Sequence, residues 1–332
     1  MLAEAGRARE IAQRAEAAGF AHLAFGDTQN LGPEAWGQLL LAASASSRIR
    51  LGTGVTNPVT RDAAVTASAA LALQVESGGR AFVGIGRGDS ALAKIGREPE
   101  RLAAFERYVA DLRGYLAGES VRRGGAVSRI EWSVPAGLPR VPLEVAASGP
   151  RVIELAARHA DAVSFCLGAD PEVLGRALDA ARRAARAAGR DPGALRFGAF
   201  VNCAVDDDAD AARALVRGGV SVFAHFGEWS SGGAALQREG ARAAAEQVHA
   251  AYEMDRHAQA AGRGAQALAD DLVDAFAIAG PAEHAVARLE RLARLGLDFV
   301  TLAPGSSDMG WEAGWRSIER IGRDVIPALR RP

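Results

Sequence analysis

Short apolar runs alternate with helix-spaced segments along most of this chain, and that alternation restricts the fold more than any other feature. Strand-like runs occupy 21–27, 48–55, 81–86, 141–147, 162–166, 195–205 and 298–303. Helical spacing marks 8–18, 33–44, 63–76, 99–116, 151–159, 171–188, 209–217 and 314–329, and a further helix starts at Gly280-Pro281 and ends at Gly296. Strands separated by helices pair in parallel through right-handed crossovers. Seven such units exceed a compact doubly wound sheet and suit an α/β fold of the (β/α)₈ TIM-barrel type lacking its first strand. That strand would precede Ala8, and a late start explains its absence better than a barrel closed by seven.

Two stretches break the rhythm. Residues 122–140 carry glycines and prolines without a helical period and read as a hairpin or loop excursion. Residues 220–274 contain Trp229-Ser230-Ser231-Gly232-Gly233 and an alanine-rich polar helix, and read as an insertion before the last strand, inside one domain spanning 1–332.

Composition excludes several classes. With 332 residues, 49% hydrophobic, 24% charged and a net charge of −1, the chain has ample core and no basic block suited to nucleic acid. No apolar run approaches the ~18 residues of a membrane span and no signal peptide is evident, so a cytoplasmic location is expected. Cys166 and Cys203 are too few for a disulfide framework, and the six histidines form no metal-ligand spacing. No metal is expected.

In a barrel of this kind the chemistry gathers at the carboxyl ends of the strands. Those ends read Asp27-Thr28, Gly54-Val55-Thr56-Asn57, Gly86-Arg87-Gly88-Asp89-Ser90, Ser148-Gly149-Pro150-Arg151, Cys166-Leu167-Gly168, Asn202 and Pro304-Gly305. Ser148-Gly149-Pro150 precedes a helix and offers a hydroxyl, backbone amides and a helix dipole to a phosphate, with Arg151 as an added charge; a plain serine N-cap explains it equally well. Glycines 84, 86 and 88 are misplaced for a dinucleotide loop, and no P-loop lysine follows them.

The segments 52–61 (GTGVTNPVTR), 78–80 (GGR), 84–89 (GIGRGD), 145–150 (VAASGP) and 276–281 (FAIAGP) resemble the bacterial luciferase-like superfamily, most closely its coenzyme F420-dependent methylenetetrahydromethanopterin reductase group. The resemblance runs from about residue 8 to 305. It implies a barrel holding F420, or alternatively FMN, at its carboxyl-end mouth, with a bulge and a non-proline cis peptide at Gly54-Val55. It further implies that Asp27 and Thr28 lie beside the ring, with Arg87, Asp89 and Ser90 near ring and substrate. Thr56, Asn57, Ser148, Gly149, Pro150, Arg151, Cys166 and Gly168 complete the candidate cofactor set.

Asp27 and Asp89 are the candidate catalytic acids, since a partly desolvated carboxyl can deliver the proton that accompanies hydride transfer. For either one alone a cap or loop carboxylate is the commoner role. Some members of the group carry a glutamate proton donor where this chain has Arg87. The resulting expectation is an oxidoreductase moving a hydride between F420 and a small organic acceptor with a C=N or C=C bond, working as a homodimer. The alternatives are an FMN-dependent monooxygenase, a barrel lyase or isomerase of a phosphorylated substrate, and a noncatalytic binding barrel.

Overall fold

The computed structural model describes residues 4–229 and 241–330. The chain folds as two compact units, Met1–Ala146 with Leu155–Ala162, and Ala147–Glu154 with Val163–Pro332. Both are built from the expected repeats of strand and helix.

In the first unit β1 (His22–Phe25), β2 (Arg50–Thr53) and β3 (Ala81–Ile85) are followed by an antiparallel hairpin, β4 (Val121–Arg123) and β5 (Ala126–Ser128), and then by β6 (Leu143–Ala147). The parallel order is β1-β2-β3-β6, with Phe25 opposite Thr53 and Ile85 opposite Val145. Every residue of β3 is buried, as in a strand covered on both faces, which explains its unbroken apolar reading. The hairpin falls inside the irregular stretch 122–140, extended by one residue.

Glu16 links the first helix, Ala8–Ala17, to the chain entering β2. Its carboxylate accepts from the amides of Ser47, Arg48 and Ile49 at 3.0, 2.6 and 2.8 Å. Burial opposes its ionisation, yet these donors outweigh that and hold the acid down at about 2.

In the second unit β7 (Ala162–Phe165), β8 (Arg196–Val205) and β10 (Phe299–Ala303) lie side by side. Between the last two in sequence comes β9 (Ala277–Gly280), a strand the sequence reading lacks. It follows the helix Asp270–Phe276 with no turn residue between them, and the Gly-Pro that follows signals only the next helix. β8 is long enough to serve two partners: residues 198–202 pair with β10 and residues 202–205 with β9.

The helix after β8 also departs from expectation, running Ala209–Trp229 through the Gly218-Gly219 pair where a break was expected. The two glycines mark close contacts. A Cβ on Gly218 would stand 2.3 Å from the Ala258 carbonyl oxygen, and one on Gly219 would stand 2.1 Å from Asn202 Oδ1. This helix packs Val216 and Val220 with Ala204, Val248, Leu272 and Val273 in one apolar cluster. Residues 230–240 of the expected insertion lie outside the described residues. Among the described residues no helix is long and apolar enough to cross a membrane.

Candidate active site

The strand tips of the first unit bring most of the predicted residues together. After Thr53 the chain leaves β2 through a cis Gly54-Val55 peptide bond. Gly54 N donates to Phe25 O at 2.8 Å and Asp27 N donates to Val55 O at 3.3 Å, so both sides of the bulge are bonded to the tip of β1. Thr56 then returns to β3, its amide reaching Gly84 O at 2.9 Å and its carbonyl accepting from Gly86 N at 3.0 Å. Gly84 is required by this geometry, since a Cβ there would lie 2.2 Å from Thr53 O.

Asp27, 5% exposed, is the hub. Its Oδ2 accepts from Thr56 Oγ1 at 2.7 Å and from Arg61 Nε at 3.1 Å. Arg61 also reaches Glu34 at 2.5 Å. Burial works against the guanidinium's charge, but the Asp27 and Glu34 carboxylates more than offset it and hold Arg61 above its ordinary value. Arg61 and Glu34 are site members that sequence reasoning missed. Arg61 stands in the quoted motif, and an arginine four residues past the Asn-Pro corner was the available signal. Glu34 gave none beyond its helix-start position.

Asn57 closes the bulge. Its Oδ1 accepts from Val59 N and Thr60 N at 3.0 Å each and from Thr60 Oγ1 at 3.2 Å. Its Nδ2 is buried and donates to no partner among the described residues. Asp89 caps the single-turn helix Ser90–Ala93, accepting from the Ser90 amide and hydroxyl, which is the commoner role foreseen for it. Asp89 keeps an exposed edge, yet protein crowds its carboxyl. That desolvation pushes the acid above its usual range, although the Ser90 bonds pull the other way. Gln29 Nε2 donates to Ala91 O at 2.8 Å, tying the loop after Asp27 to this turn. Thr28 contributes its carbonyl to that loop, accepting from Leu31 and Gly32 amides. Arg87 is turned toward Glu100, whose carbonyl accepts from its Nε at 2.6 Å.

In the second unit the helix Pro150–His159 begins one residue earlier than expected, with proline in its first turn. Gly149, not Ser148, takes the cap position, its carbonyl accepting from Val152 and Ile153 amides. Ser148 therefore sits just outside the helix, and Arg151 is exposed. Cys166 N donates to Ala147 O at 2.9 Å, joining the tip of β7 to this corner. Gly168 (φ +75) packs against Phe276, whose Cα a Cβ on Gly168 would meet at 2.8 Å. Arg288 fixes the same region by donating to Asp274 O and Ala169 O. Among the described residues no group of three or more His, Cys, Asp or Glu side chains is placed to hold a metal.

The fold agrees with the comparisons. The profile of the luciferase-like monooxygenase family matches residues 2–298, and the chain belongs to that family; it is an enzyme, an oxidoreductase. It is 31% identical to the 5,10-methylenetetrahydromethanopterin reductase of Methanolobus tindarius over 95% of this chain and 94% of the relative. The reductase of the same name from Archaeoglobus fulgidus is 30% identical over 89% of this chain and 87% of its own length. The solved coenzyme F420-dependent tetrahydromethanopterin reductase from Methanopyrus kandleri superposes with a TM-score of 0.77 at 25% identity, covering 98% of this chain and 95% of that one. The α/β fold is thus the TIM-barrel-like fold of the luciferase-like proteins.

Proposed function

We propose that this oxidoreductase, from a class that works through F420 or a flavin, is an F420-dependent reductase acting on a small organic acceptor with a C=N or C=C bond. The observation that carries the reading is the Asn57 amide, 2% exposed and lacking a partner for Nδ2 among the described residues. A buried donor left unsatisfied costs about 1–3 kcal/mol. The pyrimidine edge of a deazaflavin or flavin is rich in acceptor atoms, so the residues present fit such a ring. The full-length likeness to two reductases supports F420 over FMN.

Bound there, F420 would supply the carbon that gives or takes the hydride. The chain's own part is to orient and to handle protons. Gly54, Val55, Thr56 and Asn57 form the ring-facing bulge, and Asp27, held by Thr56 and Arg61, fixes the local field. Thr28, Arg87 and Ser90 flank them. Asp89, whose carboxyl crowding pushes above its ordinary range, is the residue we assign to the proton that accompanies hydride transfer. In the second unit the Ser148 hydroxyl, the backbone amides of Gly149 and Arg151 on either side of Pro150, and the Arg151 cation are available to a phosphate. Cys166 and Gly168 shape the neighbouring loop. The reading includes one domain over 1–332 with 220–274 as its insertion, a homodimer and a cytoplasmic location.

Titration of the purified protein with F420 and with FMN, followed by absorbance, tests this. F420 binding without a response to FMN supports it, and Asn57→Asp should then weaken binding at least tenfold. FMN binding without F420 binding would replace it with the flavin monooxygenase reading.

A further inference from the structure

Glu144 is an acid in the interior of a strand, and neither the Asp27 hub nor the bulge uses it. It is the second residue of β6 and 9% exposed. Glutamates are rarely buried this far, because taking a carboxylate out of water is costly. Its neighbours Leu143 and Val145, 1% and 0% exposed, belong to the opposite face, since side chains alternate along a strand.

The face that Glu144 occupies is the one on which the bulge rests. Glu144 is the ladder partner of Gly84 in β3, and paired residues of a pleated sheet share a face. A Cβ on Gly84 would lie 3.3 Å from Val55 Cγ1. One on Gly86, two residues on and on the same face, would lie 3.3 Å from Val55 Cγ2 and 3.9 Å from Ala146 Cβ. The two glycines therefore make room for the Val55 side chain beside the positions of Glu144 and Ala146. Ala146 is half-buried, so this face opens toward the strand tip. Glu144, Val55, Asp27 and Asp89 all belong to the first unit. The carboxylate is already engaged within the protein, and with about four lone-pair positions it keeps acceptor capacity for a further donor.

We propose that Glu144 selects a C=N acceptor over a C=C acceptor, by stabilising the positive charge that the nitrogen carries before hydride transfer. The proposal rests on the reductase reading and names the acceptor class within it. The acceptor nitrogen takes the proton assigned to Asp89 and becomes cationic. Its carbon then takes the hydride from the reduced cofactor, the C=N π pair becomes the nitrogen lone pair, and a neutral amine leaves. Asp89 regains its proton from water. A C=C acceptor behaves oppositely, because the arriving hydride pushes negative charge onto the far end of the double bond. A carboxylate shielded from water opposes that charge as strongly as it favours the cation.

Glu144→Gln keeps the size of the side chain and removes its charge. With reduced F420, it should shift the ratio of kcat/KM for dihydroisoquinoline to that for cyclohexenone toward cyclohexenone by about 10²-fold. A binding measurement tests the same charge without turnover and without a variant. In the presence of oxidised F420, the wild-type protein should bind N-methylquinolinium at least about tenfold more tightly than the uncharged methylnaphthalene of the same shape. A kcat/KM ratio within about twofold of wild type in Glu144→Gln, or equal binding of the two probes by the wild-type protein, would overturn the proposal and leave the reductase reading standing. Failure of the wild-type protein to bind F420, or to reduce either acceptor with it, would overturn both, and the F420 titration tells these outcomes apart.

Discussion

Thr56 Oγ1 and Arg61 Nε meet on the same oxygen of Asp27, at 2.7 and 3.1 Å. The sharing makes Asp27 a buried anchor joining the tip of β1 to the segment that carries the bulge. Removing the cation leaves a carboxylate with little access to water, whereas removing the hydroxyl leaves the ion pair in place. Arg61→Met should therefore cost roughly 2–4 kcal/mol of stability, below the full value for a broken buried pair because Arg61 is partly exposed. Thr56→Val should cost about 1–2 kcal/mol. Urea unfolding measures both, and a larger loss for Thr56→Val would contradict the hub.

The glycine pair of the helix Ala209–Trp229 separates two kinds of close contact. An added methyl at Gly218 meets backbone, the Ala258 carbonyl at 2.3 Å, whereas at Gly219 it meets the end of the Asn202 side chain at 2.1 Å. Side-chain ends rotate away at small cost, while a carbonyl in a tethered turn does not. Gly218→Ala should destabilise by about 1–3 kcal/mol, and Gly219→Ala by visibly less. Thermal unfolding of the two variants ranks them, and equal losses would count against this assignment of the contacts.

The same helix shows where the sequence was readable and where it was not. Strands such as β3 were legible because burial on both faces leaves an apolar run between turn residues, and the helix Ala63–Glu76 matched its expected ends because Asp62 caps it and Gly78-Gly79 stop it. Gly218-Gly219 misled because a glycine that ends a helix and one that admits a neighbouring carbonyl look alike in one dimension. β9 was hidden because it abuts the helix Asp270–Phe276 with no turn residue to set it off. At the site, the bulge and its cis bond were legible only through family resemblance, since the local residues equally describe a turn. Arg61 was missed because its partner lies 34 residues earlier, a separation that no local pattern encodes.

Glu16 makes stability depend on acid. Its folded-state value of about 2 lies below the ordinary 4.5, so the unfolded chain binds the proton more readily. The stabilisation is present above about pH 4.5 and is lost as pH falls toward 2. Glu16→Gln should cost roughly 1–3 kcal/mol at pH 7 and little at pH 2. Urea midpoints across that range test it, and a cost unchanged by pH would show that the three amide bonds do not depend on the carboxylate's charge.

His225 gives a second pH dependence, in a higher window. Burial first, and then the neighbouring His249 and His257, lower its value to about 4 from an ordinary 6.5. The folded protein thus resists a proton that the unfolded chain accepts. Stability is full above about pH 6.5, declines as the pH falls toward 4, and levels off below that. His225→Phe keeps an aromatic face against Tyr252 and His249, which stack on this ring at 4.0 and 4.5 Å, but cannot be protonated. The variant should lose less stability than wild type between pH 6.5 and 4, by roughly 1–3 kcal/mol at the acid end. Parallel pH dependences for the two proteins would mean that the acid sensitivity in this window arises elsewhere.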